Sequence, residues 1–119
     1  MLVKSIEDIP FFRAGDDTIL KEVLHPDKDG IELGYSIAFA KIEVSKASLP
    51  HRLKHSETYI FLCGNGKIHI NDEVQDIQKG SIVYVPPMGN QYVENTGTTD
   101  LEFYCIVSPA WREADEYVD

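Results

Sequence analysis

Short β-type runs, broken by turn signals about every 8–12 residues, constrain the fold of this 119-residue chain more than any other feature. The breaks carry residues that favour tight turns, as at Asn71-Asp72 and Pro86-Pro87. Helix is expected only as short turns near the termini, at Ile6–Phe12 and Arg112–Tyr117. The pattern predicts an all-β antiparallel sandwich or barrel. Its predicted strands lie near Thr18–Leu24, Gly34–Val44, Thr58–Cys63, Gly66–Ile70, Glu73–Ile77, Ser81–Val85, Gln91–Glu94 and Leu101–Val107.

The charge balance limits the kinds of molecule that the protein is expected to bind. The chain has 11 basic and 20 acidic side chains, which give a formal net charge of −9. A field of this sign repels phosphate backbones, so we expect no nucleic-acid partner. No window approaches the roughly 18 consecutive apolar residues of a membrane span, and Met1–Pro10 lacks the apolar core of a signal peptide. We therefore expect a cytoplasmic protein with no membrane partner.

The length suits a single domain over residues 1–119 with one sizeable core. The acidic end, Glu113–Asp119, is expected to form a solvated helical turn or a frayed tail. Cys63 and Cys105 each lie inside an apolar run, which predicts two buried thiols in a reducing compartment. A disulfide is the alternative.

One segment concentrates residues that can carry chemistry. His51, His55 and Glu57 lie together directly before a predicted strand. In extended backbone the side chains of His51 and Glu57 lie on the same face, so an imidazole and a carboxylate would point into the same cavity. Nitrogen and oxygen donors that converge from rigid strands suit a divalent metal. The structural alternative is a half-buried pair of His51 and Glu57 at a strand entry, with His55 in solvent.

The spacing of these residues resembles that of the cupins, which are small double-stranded β-helix (jelly-roll) proteins. The first cupin motif, G-x5-H-x-H-x(3,4)-E-x6-G, is matched by His51, Glu57 and Gly64. The second motif, G-x5-P-x-G-x2-H-x3-N, is matched by Gly80, Pro86 and Asn95. The resemblance covers about residues 35–107. It implies a cupin barrel and a homodimer, because cupins commonly pair their sheets and so cover open edges.

The resemblance also implies a metal site. In the family the first motif supplies two histidines and a glutamate, and the second motif supplies a third histidine. His51 and Glu57 occupy two of these four positions. Leu53 and Gln91 stand at the other two, and an amide oxygen is a weaker ligand than an imidazole. The expected cofactor is a divalent transition metal, Fe, Mn, Ni or Zn, and its expected ligands are His51, Glu57, Gln91 and His55.

Aromatic residues dominate the other positions expected to line the barrel. The predicted ligand-contacting residues are Tyr59, Phe61, Tyr84, Val93 and Arg52. An aromatic, partly hydroxylated pocket predicts a small polar ligand of carboxylate-like or sugar-like chemistry. His25 and His69 are expected outside the site. Trp111 is expected to cap the barrel or to pack in a dimer interface.

Three classes of function fit these residues. The first is a metal-dependent dioxygenase, decarboxylase or sugar isomerase, in which the metal polarises a carbonyl or activates oxygen or water. The second is a metal-free module that binds a small polar molecule, which the loss of two histidine positions favours. The third is an epimerase-like enzyme with His51 as base and Tyr84 or Tyr92 as acid. The fold does not choose among them, and it leaves open whether a reaction is catalysed.

Overall fold

Antiparallel strands dominate residues 1–118, which the computed structural model describes. The strands are β1 (Phe12–Arg13), β2 (Ile19–Leu24), β3 (Ser36–Ile42), β4 (His51–Leu53), β5 (Ser56–Cys63), β6 (Asn65–Ile70), β7 (Glu73–Gln78), β8 (Ile82–Val85), β9 (Gln91–Asn95), β10 (Leu101–Ser108) and β11 (Glu116–Val118). The described residues also contain a short helix, α1 (Pro26–Asp29), and two 3₁₀ turns, Ile6–Asp8 and Glu113–Asp115. Among residues 1–118, no helix has the length and apolar character that crossing a membrane requires.

Two antiparallel sheets form the barrel. Over the described residues, one sheet has the order β1-β2-β3-β10-β5-β8 and the other has the order β11-β4-β9-β6-β7. In the first sheet, Phe103 on β10 lies opposite Ala40 on β3 and Phe61 on β5. In the second sheet, Val93 on β9 lies opposite Ile68 on β6. These residues are all buried and belong to one core cluster, which confirms the predicted all-β jelly-roll barrel.

Aromatic rings form much of the core. The rings of Phe61 and Phe103 lie 4.9 Å apart between centroids, and Tyr59 meets Phe103 edge to face at 5.4 Å. Such tilted and T-shaped arrangements are the favourable ones for aromatic pairs. Ile42 and Leu101 lie opposite each other and are also buried, so close packing extends along the barrel away from Glu57.

The C-terminal end differs from the expectation. The predicted helical turn over Arg112–Tyr117 is a 3₁₀ turn at Glu113–Asp115, and the chain then continues as β11. The expectation of a solvated or frayed end is wrong for Glu116, which lies opposite Leu53 on β4. The reason is that the edge of β4 offers backbone groups for pairing, and β11 satisfies them. Residue 119 lies outside the described residues.

The N-terminal end contains less helix than expected. The predicted turn over Ile6–Phe12 is reduced to the 3₁₀ turn Ile6–Asp8. Phe12 instead belongs to β1 and lies opposite Leu20 on β2. Strand pairing at both ends of the chain therefore replaces part of the predicted helical turns.

Two glycines are required by close backbone approach. Gly64, which ends the first motif, has φ 91°, and a Cβ there would lie 2.8 Å from the carbonyl oxygen of Asp100. Gly66 lies on β6, where a Cβ would overlap the carbonyl oxygen of Glu94 on β9. The two strands can approach this closely only because residue 66 has no side chain.

Gly66→Ala is expected to lower the free energy of unfolding by more than about 2 kcal/mol, because the backbone of β9 must move to accept the methyl group. Gly34→Ala is the matched control, since nothing lies within 4 Å of a Cβ at residue 34. That control should change stability by less than about 0.5 kcal/mol. Urea unfolding followed by circular dichroism measures both values. Equal stabilities of the two variants would contradict the described packing of β6 on β9.

Candidate functional site

A cavity of about 180 Å³ opens between the two sheets, beside the core cluster. Its wall combines an ionisable group of side chains with a larger apolar surface. The charged and imidazole side chains on this wall are Arg13, Asp16, Glu22, His51, Glu57 and Glu116. The apolar surface includes Leu20, Ala38, Leu53, Val93, Phe103, Val107 and Trp111.

His51 is a buried ring whose orientation is fixed by the backbone. It begins β4 and lies opposite Gln91 on β9. Its Nδ1 lies 3.0 Å from the carbonyl oxygen of Leu49, and a carbonyl only accepts, so Nδ1 carries the proton and donates. When the ring is not protonated at Nε2, this nitrogen has a lone pair that can bind a metal.

Asp16 reaches the cavity from the loop between β1 and β2. Its Oδ1 accepts a hydrogen bond from the backbone N–H of Thr18 at 3.1 Å. Its Oδ2 lies 3.6 Å from Nδ1 of His51. The backbone of Asp16 also accepts from the N–H of Leu49, at 2.6 Å. These contacts fix the carboxylate of Asp16 beside the imidazole.

Glu116 reaches the cavity from the opposite end of the chain. It opens β11 and lies opposite Leu53, which also lines the cavity. Burial raises the pKa of Glu116, whereas the charge of His51 acts to lower it. Asp16 raises this pKa further, and a hydrogen bond from Trp111 acts to lower it. The carboxylate is therefore close to both other ionisable groups.

Asp16, His51 and Glu116 form a cluster suited to a cation. One ligand atom from each lies within 4.8 Å of the corresponding atoms of the other two. A metal ion about 2.0–2.3 Å from each donor would hold three donors at such separations. One imidazole nitrogen and two carboxylate oxygens are donors used by divalent transition metals.

Glu57 is buried beside this cluster. It lies on β5, opposite Val107 and Val85. Burial raises the pKa of Glu57 from 4.5 to about 7, and the neighbouring charge of Asp16 adds to the effect. The charge of His51 opposes the rise. Oε1 of Glu57 has no hydrogen-bond partner among the described residues.

Gln91 is fully buried and is not one of the residues that line the cavity. The hydroxyl of Tyr59 donates a hydrogen bond to Oε1 of Gln91. Burial raises the pKa of Tyr59 well above its ordinary value, which keeps this hydroxyl protonated as the donor. The neighbouring polar groups of Tyr59 and Gln91 act to lower the pKa of Glu57. The amide of Gln91 thus lies between the phenol and the acid.

The predicted ligand-contacting residues fall into two groups. Tyr59 and Val93 lie on the cavity wall. Phe61 is buried in the core cluster, and Tyr84 is 62% exposed on β8. Arg52 stands between two residues of β4 that line the cavity, so strand alternation turns it to the other face.

The remaining histidines lie away from the cavity. His55 is in the turn between β4 and β5, with Nε2 3.4 Å from the carboxylate of Asp115. His69 stacks on Tyr92, with 4.0 Å between ring centroids. His25 caps α1, where its Nδ1 accepts from a backbone N–H. The structure therefore does not bring His55 to His51.

Sequence reasoning did not assign Asp16, Trp111 or Glu116 to the cavity wall. All three lie outside the region of the cupin motifs. Trp111 was expected to cap the barrel or to pack in an interface, and a position on the cavity wall is compatible with a cap. The signals available were weak: Asp16 follows a glycine in a turn, and Glu116 begins a three-residue alternation that ends in Val118.

Comparisons with known proteins found a matching family model and similar proteins. A cupin domain model matches residues 38–107. An uncharacterized protein of Methanocaldococcus jannaschii is 31% identical over 102 residues, which span 84% of this chain and 80% of that protein. The oxalate-binding protein of Thermotoga maritima is 32% identical over 72 residues, which span 58% of this chain and 60% of that protein.

The fold is also similar to that of solved structures. The crystal structure of a predicted oxalate decarboxylase from Thermotoga maritima superposes with a TM-score of 0.80 at 22% sequence identity. The match covers 91% of this chain and 99% of that chain. Two facing antiparallel sheets around a cavity lined by ionisable and apolar side chains define a small jelly-roll barrel protein. With the family match over residues 38–107, the chain belongs to the cupin family, which confirms the resemblance.

The buried acid predicts a pH dependence of stability in metal-free protein. Because folding raises the pKa of Glu57 to about 7, the folded state binds this proton more tightly than the unfolded chain does. The stabilisation is complete below pH 4.5 and is lost as the pH rises through about 7. Glu57→Gln should therefore become more stable than the wild type above pH 7, by roughly 3 kcal/mol.

Chemical denaturation in a chelator at several pH values measures this difference. Glu73→Gln, which changes an exposed acid on β7, is the control and should follow the wild type. A Glu57→Gln variant whose stability shows the same pH dependence as the wild type would contradict the raised pKa.

Proposed function

We propose that this protein binds a divalent transition metal in its barrel and, through it, a small ligand with a carboxylate-like group. The main observation that supports this proposal is the cluster of Asp16, His51 and Glu116 on the cavity wall. Their ligand atoms lie within 4.8 Å of one another. Two of these three donors come from outside the cupin motifs. They stand in for the two histidine positions that hold Leu53 and Gln91.

The donors fit a metal for electrostatic reasons. Four carboxylates, one imidazole and one guanidinium lie on the wall of a small cavity, and burial raises the pKa of Glu57 and of Glu116. A divalent cation would balance the charge of two carboxylates in a region of low dielectric. A set richer in oxygen than in nitrogen favours Mn²⁺ or Fe²⁺ among the expected metals.

When bound, the metal supplies a Lewis acid that binds and polarises the oxygen atoms of the ligand. Asp16, His51 and Glu116 hold it, and the hydrogen bond to Leu49 fixes the ring of His51. Glu57, with its pKa raised to about 7, is placed to hold or release a proton at Oε1 near neutral pH.

The comparisons with proteins of Thermotoga maritima support the ligand class. The sequence match is to an oxalate-binding protein, and the structural match is to a predicted oxalate decarboxylase. A carboxylate approaching this cavity without a cation would be repelled by Asp16, Glu57 and Glu116. Ligand binding is therefore expected to depend on the metal.

The metal proposal predicts near-stoichiometric metal in the wild type after reconstitution with Mn²⁺ or Fe²⁺. His51→Ala removes the nitrogen donor, and its metal content should fall at least tenfold. Asp16→Asn and Glu116→Gln should each fall severalfold, because a neutral amide is a poorer donor than a carboxylate. Plasma mass spectrometry on untagged protein measures metal per chain.

Three matched variants serve as controls. Asp17→Asn and Glu113→Gln change exposed acids next to the cluster, and His55→Ala changes the histidine in the β4–β5 turn. All three should keep the wild-type metal content. Equal metal content in His51→Ala and His55→Ala would overturn the proposed site.

We further propose a homodimer formed through the outer face of the six-stranded sheet. Its end strand, β8, presents Ile82 at 71% and Tyr84 at 62% exposure. Ile60 lies opposite Ile82 and Thr58 lies opposite Tyr84, so an uncharged surface continues onto β5. A second copy of the same face would cover this surface and the edge of β8.

Ile82→Lys should convert the dimer to a monomer, because a second copy would bury an unpaired ammonium group. Size-exclusion chromatography with light scattering measures the mass. Val74→Lys, which changes an apolar residue that is 51% exposed on β7 of the other sheet, is the control and should leave the dimer intact. A dimer that survives Ile82→Lys but not Val74→Lys would place the interface on the other sheet.

We propose a reducing, cytoplasmic location as well. Cys63 and Cys105 are free thiols, and Cys63 donates a hydrogen bond to the carboxylate of Glu102 at 2.9 Å. Thiol titration of freshly purified, denatured protein should find two thiols per chain. A disulfide between them would contradict this location.

A further inference from the structure

We propose that the ligand is a small monocarboxylic acid with an uncharged, apolar tail, such as a 2-oxo acid. This inference rests on the proposed metal site and names the chemistry of the ligand that the site would hold. It is carried by the distribution of polar and apolar side chains along the cavity, which a fully polar ligand such as oxalate does not match.

The strand registers separate a polar end of the cavity from an apolar end. In the first row of inward-facing residues, Ser36, Val107 and Glu57 lie side by side on β3, β10 and β5. Two rows further along the same strands, Leu20 and Phe103 both lie opposite Ala40. The cavity wall includes residues from both rows, so it extends from the acid end to the apolar end.

The row between them combines two small side chains with the larger Glu22 and Tyr59. Ala38 and Cys105 lie opposite each other on β3 and β10, and both line the cavity. A methyl group and a thiol leave space that larger residues would fill. We call the part of the cavity lined by Leu20, Ala38, Val93, Phe103 and Cys105 the apolar arm.

The apolar arm favours one kind of tail. Burying a polar group against these residues costs free energy unless it is hydrogen-bonded, whereas each buried methylene is favourable. Glu22 lies opposite Ala38 and is the acid that borders the arm. Its carboxylate would repel a second acid group on the ligand. The ligand therefore has one acid group, held at the metal end, and an uncharged tail.

The size of the cavity limits the tail. Drug-sized ligands occupy pockets of roughly 300–1,000 Å³, and this cavity measures about 180 Å³. A volume of this size corresponds to about six water molecules, which matches an acid of five or six carbons. The vicinal oxygens of a 2-oxo acid would chelate the metal while its tail enters the arm.

The test is a series of 2-oxo acids with one head group and different tails. Mn²⁺-loaded protein is titrated calorimetrically with pyruvate, 2-oxobutanoate, 2-oxopentanoate, 2-oxoglutarate and oxalate. Affinity should rise about fourfold for each added methylene from pyruvate to 2-oxopentanoate. Oxalate and 2-oxoglutarate should bind at least tenfold more weakly than 2-oxopentanoate.

Two variants assign the effect to the apolar arm. Ala38→Leu should reduce the affinity for 2-oxopentanoate to that for pyruvate, without changing the metal content. Ala47→Leu, at an exposed position off the cavity, is the control and should behave as the wild type. Glu22→Gln should raise the affinity for 2-oxoglutarate severalfold and leave that for 2-oxopentanoate unchanged.

Metal content measured on the same samples separates the two proposals. This inference is overturned if oxalate binds most tightly or if tail length has no effect on affinity. If the same samples contain a full complement of metal, the proposed function is not affected by that result. Absence of metal after reconstitution overturns the proposed function itself. If Ala38→Leu does not fold, as judged by circular dichroism, Ala38→Val makes a smaller change at the same position. The affinity of Ala38→Val for 2-oxopentanoate should fall part of the way towards its affinity for pyruvate.

Discussion

The burial of several acids around one imidazole is the constraint on which this structure depends. Asp16, Glu57 and Glu116 share a cavity with His51. Burial disfavours ionised carboxylates and each acid repels the others, which raises the pKa of Glu57 and of Glu116. Such a cavity requires protons or a cation to balance it at neutral pH, and Arg13, the basic side chain on its wall, is already paired with Asp17. The same imbalance leads to the metal proposal and to the dependence of ligand binding on the metal.

The topology explains why the two ends of the chain deliver two of these acids. β1 lies at one end of the six-stranded sheet, and β11 lies at one end of the five-stranded sheet. The loop after β1 carries Asp16, and the first residue of β11 is Glu116. Strands that cover sheet edges thus also bring carboxylates to His51. The same two segments therefore cover the sheet edges and supply carboxylates to the site.

Sequence reasoning predicted the barrel because its signals are local. Strand alternation and turn residues located eight strands, and the motif spacing placed His51 and Glu57 on one cavity. It missed Asp16 and Glu116 because each reaches the site through pairing distant in sequence, and an acidic end resembles a solvated tail. Trp111 was expected to cap the barrel or to pack in an interface, and it lies on the cavity wall. Whether Gln91 or His55 ligates a metal stays a prediction, although Gln91 Oε1 accepts from Tyr59 and His55 lies off the cavity wall.

The most direct test of the central claim is a crystal structure of Mn²⁺-loaded protein with anomalous scattering recorded near the manganese absorption edge. The account predicts one anomalous peak in the barrel, within coordination distance of carboxylate oxygens of Asp16 and Glu116 and a ring nitrogen of His51. A peak coordinated by Gln91 and lacking both carboxylates, or an empty cavity in protein that has bound manganese elsewhere, would contradict it.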